Sequence, residues 1–151
     1  IGIMGSSAGG HLTLMGATSS KQRSYWPIDH LDQLSCQVQW AVAIYPAYAL
    51  TDGANGRNAQ GGNEDEARLV PDFAFDLASC PMLFIHGDAD VYAAMNSVKS
   101  WEQLRRMGIQ SDLHTLAGRG HCFQRTAALG TGSYTWMDRI SEFMNHKGFN
   151  K

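Results

Sequence analysis

Apolar residues fall in short blocks separated by stretches rich in glycine and asparagine, and the period inside each block changes along the chain. Ile1 to Met4 is an apolar stub that runs into Gly5-Ser6-Ser7-Ala8-Gly9-Gly10, after which Ala8, Leu12 and Met15 recur at helical spacing to about Thr18. This predicts a strand, a tight turn and a helix. Ser19 to Ser35 is polar and broken by Pro27, which predicts a loop with one helical turn around His30 to Leu34. Val38 to Tyr45, closed by Pro46, and Pro81 to His86, ended by Gly87, are apolar with little alternation. Such runs suit strands buried on both faces, as in a parallel sheet. Met95, Val98, Trp101, Leu104 and Met107 lie three apart, with charged residues between them, and predict an amphipathic helix that stops at Gly108 and packs Trp101 and the methionines into the core. Ser111 to Leu116 alternates, as a strand near a sheet edge does. Gly118 to His121 predicts a loop, and Trp136, Ile140, Phe143 and Met144 a last helix ending near Gly148.

Between the second and third strands, Thr51 to Asn63 is almost free of large apolar residues and predicts an exposed loop over the substrate side. Glu64 to Leu69 predicts a short helix stopped by Pro71. Strand and helix thus alternate, which predicts an α/β fold, a mostly parallel sheet flanked by helices with right-handed crossovers. Residues 1–151 are expected to form a single domain.

Composition narrows the function. With 44% hydrophobic residues the chain can bury a core, so a disordered or coiled-coil chain is not expected. Twelve Lys plus Arg against fourteen Asp plus Glu leave a net charge of −2 and no basic surplus for a phosphate backbone, so no nucleic-acid partner is expected. The apolar runs fall well short of the roughly 20 residues that span a bilayer, and no membrane partner is expected either. Cys36, Cys80 and Cys122 form no CxxC pair and are read as small buried hydrophobes. Ile1 stands where a start methionine would, which predicts a fragment or a processed chain, with any signal segment preceding it. Compartment, periplasmic and secreted locations included, and oligomeric state are not legible.

Gly5-Ser6-Ser7-Ala8-Gly9 fits G-x-S-x-G, a sharp strand-to-helix turn that lifts a serine hydroxyl clear of the backbone. Gly5, Ala8 and Gly9 are small, as crowding at such a turn requires, and the Ala8 amide, opening a helix, is placed to donate to an oxyanion. His86-Gly87-Asp88-Ala89-Asp90 follows a buried strand and Gly120-His121 follows the next. Serine, acid and histidine therefore occur in the order that a strand-edge triad needs, on three loops of one sheet edge.

GSSAGGHL, HGDAD and GRGHCF together resemble the C-terminal half of an α/β-hydrolase, particularly the esterases that include acetylxylan esterase-like carbohydrate esterases. The resemblance spans essentially the whole chain and implies that Ser7, Asp90 and His121 are catalytic and that the Ala8 backbone N–H lies in the oxyanion hole. It also implies that the first strands of the fold, and an H-G-G-type loop that supplies the second oxyanion donor, would lie before Ile1, which makes residues 1–151 a partial domain. After Asp90, Val91-Tyr92-Ala93-Ala94 departs from the family by lacking a proline.

Each choice has a rival. Asp88 could be the acid, although a carboxylate beside a glycine turn often caps it. His11, His30, His114 and His146 have no motif around them and are read as structural, and His86 as shaping the loop after its strand. Cys122 lacks an elbow and is read as packing. Asp52 and Asn55 follow a strand at the edge where ligands sit in such sheets, with a solvated turn as the rival reading. A dinucleotide fingerprint fails because Gly2, Gly5 and Gly9 do not spell G-x-G-x-x-G. The expected activity is hydrolysis of a carboxylic ester, a short acyl group on a carbohydrate or other small molecule, through an acyl-enzyme on Ser7 and without metal or cofactor. The alternatives are a prolyl-oligopeptidase-like serine peptidase and a binding domain of the same fold that has no activity.

Overall fold

The two apolar runs lie side by side at the centre of one parallel sheet. The computed structural model describes residues 1–19, 23, 25–51, 68–126 and 135–149. In it β1 (Gly2–Ser6), β2 (Trp40–Ile44), β3 (Met82–Gly87) and β4 (Asp112–Leu116) pair in chain order, all in parallel. Neighbouring residues of a strand point to opposite faces. Ala41, Ala43, Met82 and Phe84 accordingly share one core with Leu14 of α1 (Ala8–Ser19) and Leu104 of α2 (Met95–Arg106). Val42, Ile44, Leu83 and Ile85 share the other with Phe123 of α3 (Phe123–Thr126) and Phe143 of α4 (Trp136–His146). A parallel sheet with helices on both faces in this order is the α/β-hydrolase arrangement.

Backbone pairing continues one step past three strands. The Ser7 amide donates to the Ile44 carbonyl at 3.0 Å, Tyr45 to Ile85 at 2.8 Å and Asp88 to Leu116 at 3.1 Å. The loops after β1, β2 and β3 therefore start in register with the neighbouring strand.

The apolar stripes of two helices differ from expectation. In α1 the buried residues are Gly10, Thr13, Leu14, Ala17 and Thr18, whereas Leu12 is exposed. The turn at Ser7 sets the helix phase, because His11 N–H donates to the Ser7 carbonyl and Gly10 abuts Ile44 and Pro46. In α2 the fully buried residues are Asn96, Ser97, Ser100 and Leu104, while Met95, Val98 and Trp101 are only half-buried at the flank. Polar side chains are tolerated there because all are hydrogen-bonded. Asn96 accepts the Ala49 amide and donates to the Ala93 carbonyl, each at 2.8 Å, and Ser100 donates to the Asn96 carbonyl at 2.8 Å.

Smaller differences follow. Cys80 is buried, and burial pushes its thiol up to about 11, but Cys36 is exposed and Cys122 half-buried. The loop before β2 holds the expected turn, a 3-10 helix at His30–Gln33 capped by Asp29. The short α3 has no counterpart in the sequence reading. Of the segment read as a short helix, Leu69 forms an isolated antiparallel bridge with Leu50 and the Arg68 carbonyl accepts the Thr51 amide at 2.8 Å; residues 64–67 lie outside the described residues, as does most of Thr51 to Asn63.

Truncating Asn96 to alanine would leave the buried Ala49 amide without its acceptor. Asn96→Ala should lower unfolding free energy by about 2 kcal/mol, read from urea denaturation; an unchanged midpoint would show that this bond contributes nothing.

Candidate active site

A short strand that must reverse into a helix within one residue forces that residue into an unusual backbone. Ser7 has φ of +57°, in the left-handed region, where a non-glycine residue carries strain of about 1–3 kcal/mol. A Cβ on Gly5 would lie 2.3 Å from the Gly9 carbonyl oxygen and one on Gly10 would lie 3.0 Å from the Ile44 carbonyl. A Cβ on Gly9 meets nothing within 4 Å, so crowding constrains Gly5 and Gly10 and not Gly9, contrary to the sequence expectation. Ala8 is the first residue of α1, where helix amides lack intrahelical acceptors.

The acid loop is built on β3. Asp90 is fully buried and its amide closes a turn on the Gly87 carbonyl at 3.2 Å. Its carboxylate accepts the Tyr92 amide at 2.9 Å and His121 Nδ1–H at 2.8 and 3.0 Å. A carboxylate only accepts, so Nδ1 carries the proton and Nε2 accepts from the Ser7 hydroxyl at 2.7 Å. Ser7, His121 and Asp90 are thus brought into one hydrogen-bonded chain.

The histidine loop is pinned against the acid loop. The Ala89 amide donates to the Arg119 carbonyl at 3.1 Å, and a Cβ on Gly87 would lie 2.0 Å from that oxygen, so only glycine admits this approach. The Asp88 carboxylate accepts the Gly118 amide, which leaves it as the cap of the histidine loop and Asp90 as the imidazole partner. Two rings contact His121 edge-on, Tyr45 with centroids 4.7 Å apart and Tyr92 at 4.9 Å. Tyr45 is itself anchored by its hydroxyl on Gln124.

His86 does more than shape a loop. Its Nε2–H donates to the Tyr92 carbonyl at 3.0 Å and lies 3.5 Å from Asp90 Oδ2, while Nδ1 accepts the Ser97 hydroxyl at 2.8 Å. Serine, histidine and aspartate meet here a second time, but Ser97, His86 and Asp90 are all sealed from solvent. No substrate can reach the Ser97 hydroxyl, and the set acts as a brace behind Asp90. Burial pushes the His86 imidazole down to about 4, so it is neutral near pH 7. The sequence marks Ser97 and Asn96 with no motif; only a run of small polar residues on α2 hints at them.

The remaining candidates stay apart. His11 donates to the Ala47 carbonyl at 2.9 Å and packs on Phe73; His114 lies in β4, and His30 and His146 sit at helix ends. Cys122, with φ of +61°, belongs to the loop that carries His121. Asp52 and Asn55 lie outside the described residues. Two surface grooves, of about 470 Å³ beside β4 and about 550 Å³ around Trp26, are lined by none of the three chained residues. Among the described residues no group of three His, Cys, Asp or Glu side chains is placed to hold a metal ion, and no helix is long and apolar enough to cross a membrane.

The sequence pattern of the prolyl oligopeptidase family matches residues 1–148. No curated protein matches the chain significantly. Among solved structures, the chain is similar to an acetyl ester-xyloside bifunctional hydrolase from Caldicellulosiruptor lactoaceticus, with a TM-score of 0.76 and 20% identity over 99% of this chain and 57% of that one. Esterase 2 from Thermogutta terrifontis gives 0.67 and 22% over 99% and 55%. MGS-M1, an α/β hydrolase from a Medee basin deep-sea metagenome library, gives 0.64 and 17% over 97% and 53%. The chain spans a little over half the length of these proteins, and the likeness at such identity is one of fold.

Within the turn, Gly5→Ala should cost about 1–3 kcal/mol through the clash with the Gly9 carbonyl, while Gly9→Ala should be neutral or gain up to about 1 kcal/mol from helix propensity. Denaturation curves of the two variants check this, and a reversed order would refute it. The neutral His86 makes a second prediction. The unfolded chain protonates this group near 6.5 and the folded chain only near 4. The unfolded state therefore binds more protons between those values, and stability falls as pH drops through that window, by about 3 kcal/mol from this group at its lower end. Burial also pushes His114 down, so the difference between wild type and His86→Gln isolates the effect. Parallel stability–pH curves for the two proteins would contradict a neutral buried His86.

Proposed function

We propose that this chain, which belongs to the prolyl oligopeptidase family, is a serine hydrolase that works through an acyl-enzyme on Ser7. The observation that carries this reading is the hydrogen-bonded path from the Ser7 hydroxyl through His121 to the buried Asp90, 2.7 Å and then 2.8 Å, at the edge of the sheet where the turn holds Ser7.

The chemistry follows from the proton positions. Ser7 Oγ adds to the substrate carbonyl carbon as its proton passes to His121 Nε2, and Asp90 holds Nδ1–H and stabilises the imidazolium. The oxyanion takes a hydrogen bond from the Ala8 amide, one such donor being worth about 3 kcal/mol where it has been removed. Collapse breaks the bond to the leaving group, which receives the proton from Nε2. A water then gives its proton to Nε2, its oxygen adds to the acyl carbon, and the Ser7 oxygen leaves with that proton. Acid and free alcohol or amine result, Ser7 is restored, and every proton moves among groups of this chain, water and substrate.

Two substrate classes have support. Family membership favours an amide bond in a peptide. The fold neighbours named above include an acetyl ester-xyloside hydrolase and an esterase, which supports a carboxylic ester, a short acyl group on a carbohydrate among them, as the second reading.

Ser7→Ala should reduce turnover by about 10³-fold or more and abolish labelling by a fluorophosphonate probe, with an unchanged circular dichroism spectrum. Parallel assays on a chromogenic dipeptide anilide and on acetylated xylan distinguish peptidase from esterase. Wild-type protein inert to both substrates and to the probe would make this a binding domain.

A further inference from the structure

The proton path fixes where a leaving group must lie. His121 Nε2 receives the Ser7 proton and hands it to the departing oxygen or nitrogen, so that atom sits within about 3 Å of Nε2. The oxyanion points instead toward the start of α1. Side chains packed around His121 therefore face the leaving group and not the acyl group.

Two tyrosines, Tyr45 and Tyr92, touch that imidazole and a third, Tyr48, packs on Tyr92, and burial separates their roles. Tyr45 is 2% exposed and supports the ring from inside. Tyr92 lies edge-on to His121 and is only half-buried, and Tyr48, 54% exposed, packs on Tyr92 with centroids 5.3 Å apart and hydroxyls 3.4 Å apart. Tyr92 is held in place from behind. The Tyr92 amide is bound by Asp90 and its carbonyl by His86, so its backbone is tied to the acid on one side and to the buried brace on the other. Tyr48 has φ of +58°, a conformation costly for a residue with a side chain. Tyr48 thus combines a strained backbone with exposure next to the ring that touches the imidazole.

We propose that Tyr48 and Tyr92 form a leaving-group subsite that takes a ring, either aromatic or a pyranose, whose C–H edges and flat faces complement aromatic side chains. The paired phenol hydroxyls add polar contacts for a ring that carries hydroxyls. This deepens the acyl-enzyme reading and rests on it, and it holds for an ester or an amide because both depart past His121.

The test compares acetyl esters whose alcohols differ in shape but not in chemical class: ethyl acetate, benzyl acetate and an acetylated methyl xyloside. Wild type should favour the ring-bearing esters. Tyr48→Ala should lower the ratio of kcat/KM for benzyl acetate over ethyl acetate about tenfold, mostly through KM, and Tyr48→Phe should keep it. Tyr48→Gly, which removes the ring while relieving the left-handed backbone, should match Tyr48→Ala and separates loss of the ring from loss of folding. A larger loss on the xyloside than on benzyl acetate in Tyr48→Phe would mark the pyranose as the preferred ring. Equal proportional losses on all three esters, or none, would overturn the subsite and leave the acyl-enzyme reading standing. Binding to Ser7→Ala protein, followed by saturation-transfer NMR with benzyl acetate, separates the two claims. If wild type cleaves no ester yet Ser7→Ala binds benzyl acetate and Ser7→Ala/Tyr48→Ala does not, the subsite stands and the hydrolase reading fails. With neither cleavage nor binding, both fail.

Discussion

A carboxylate sealed from water is the constraint on which the site depends. Burying a charge is costly unless it is hydrogen-bonded, and Asp90 has no exposure. Its oxygens are met by the Tyr92 amide and His121 Nδ1–H, with His86 Nε2 3.5 Å away. The His121 loop must therefore reach the end of β3, which brings the Arg119 carbonyl over Gly87, where no side chain fits. From one buried charge follow the tautomer of His121 and the glycine at 87, whereas the histidine behind the loop is neutral through its own burial, against the pull of that charge.

Precision at such a site requires that loops begin at fixed points. Here the sheet supplies them, because the ladder bonds of Ser7 to Ile44, Tyr45 to Ile85 and Asp88 to Leu116 run one residue beyond the strands. Three segments far apart in the chain start from one sheet edge, and helices pack on both faces behind it. The left-handed backbone at Ser7 is tolerated because β1, the Ile44 carbonyl and the first turn of α1 determine it together.

Much of this was legible in the residues. The unbroken runs around Val42 and Phe84 could hardly avoid both faces of a parallel sheet, and G-x-S-x-G, HGDAD and GRGH sit where such a sheet turns its loops. What failed to show was helix phase. Spacing of Leu12 and Met15 marked the side of α1 only in part, Met15 packing on the flank of the core while Leu12 is exposed, because the turn at Ser7, not hydrophobicity, decides which side meets the sheet. In α2 the buried side is Asn96, Ser97 and Ser100, polar residues that a search for apolar periodicity passes over, and their burial depends on partners from Ala49 and His86 that only the folded chain supplies. The freedom of Gly9 was hidden likewise, since a motif records small residues without saying which of them are crowded.

The contacts around His121 also bear on how it can work in two directions. Tyr45 and Tyr92 press on the ring edge-on and limit its rotation, yet in any hydrolase mechanism the imidazole must address first the serine oxygen and then the leaving atom. Its Nδ1 lies 2.8 Å from one Asp90 oxygen and 3.0 Å from the other. A small rocking of the ring exchanges one acceptor for the other while an N–H···O bond persists throughout, so the charge formed on the imidazole stays paired. A narrow swing suffices because both destinations lie within hydrogen-bond reach of one nitrogen. In the proposed mechanism the same confinement narrows where a leaving group can lie, and of the two confining rings only Tyr92 is open to it, Tyr45 being buried.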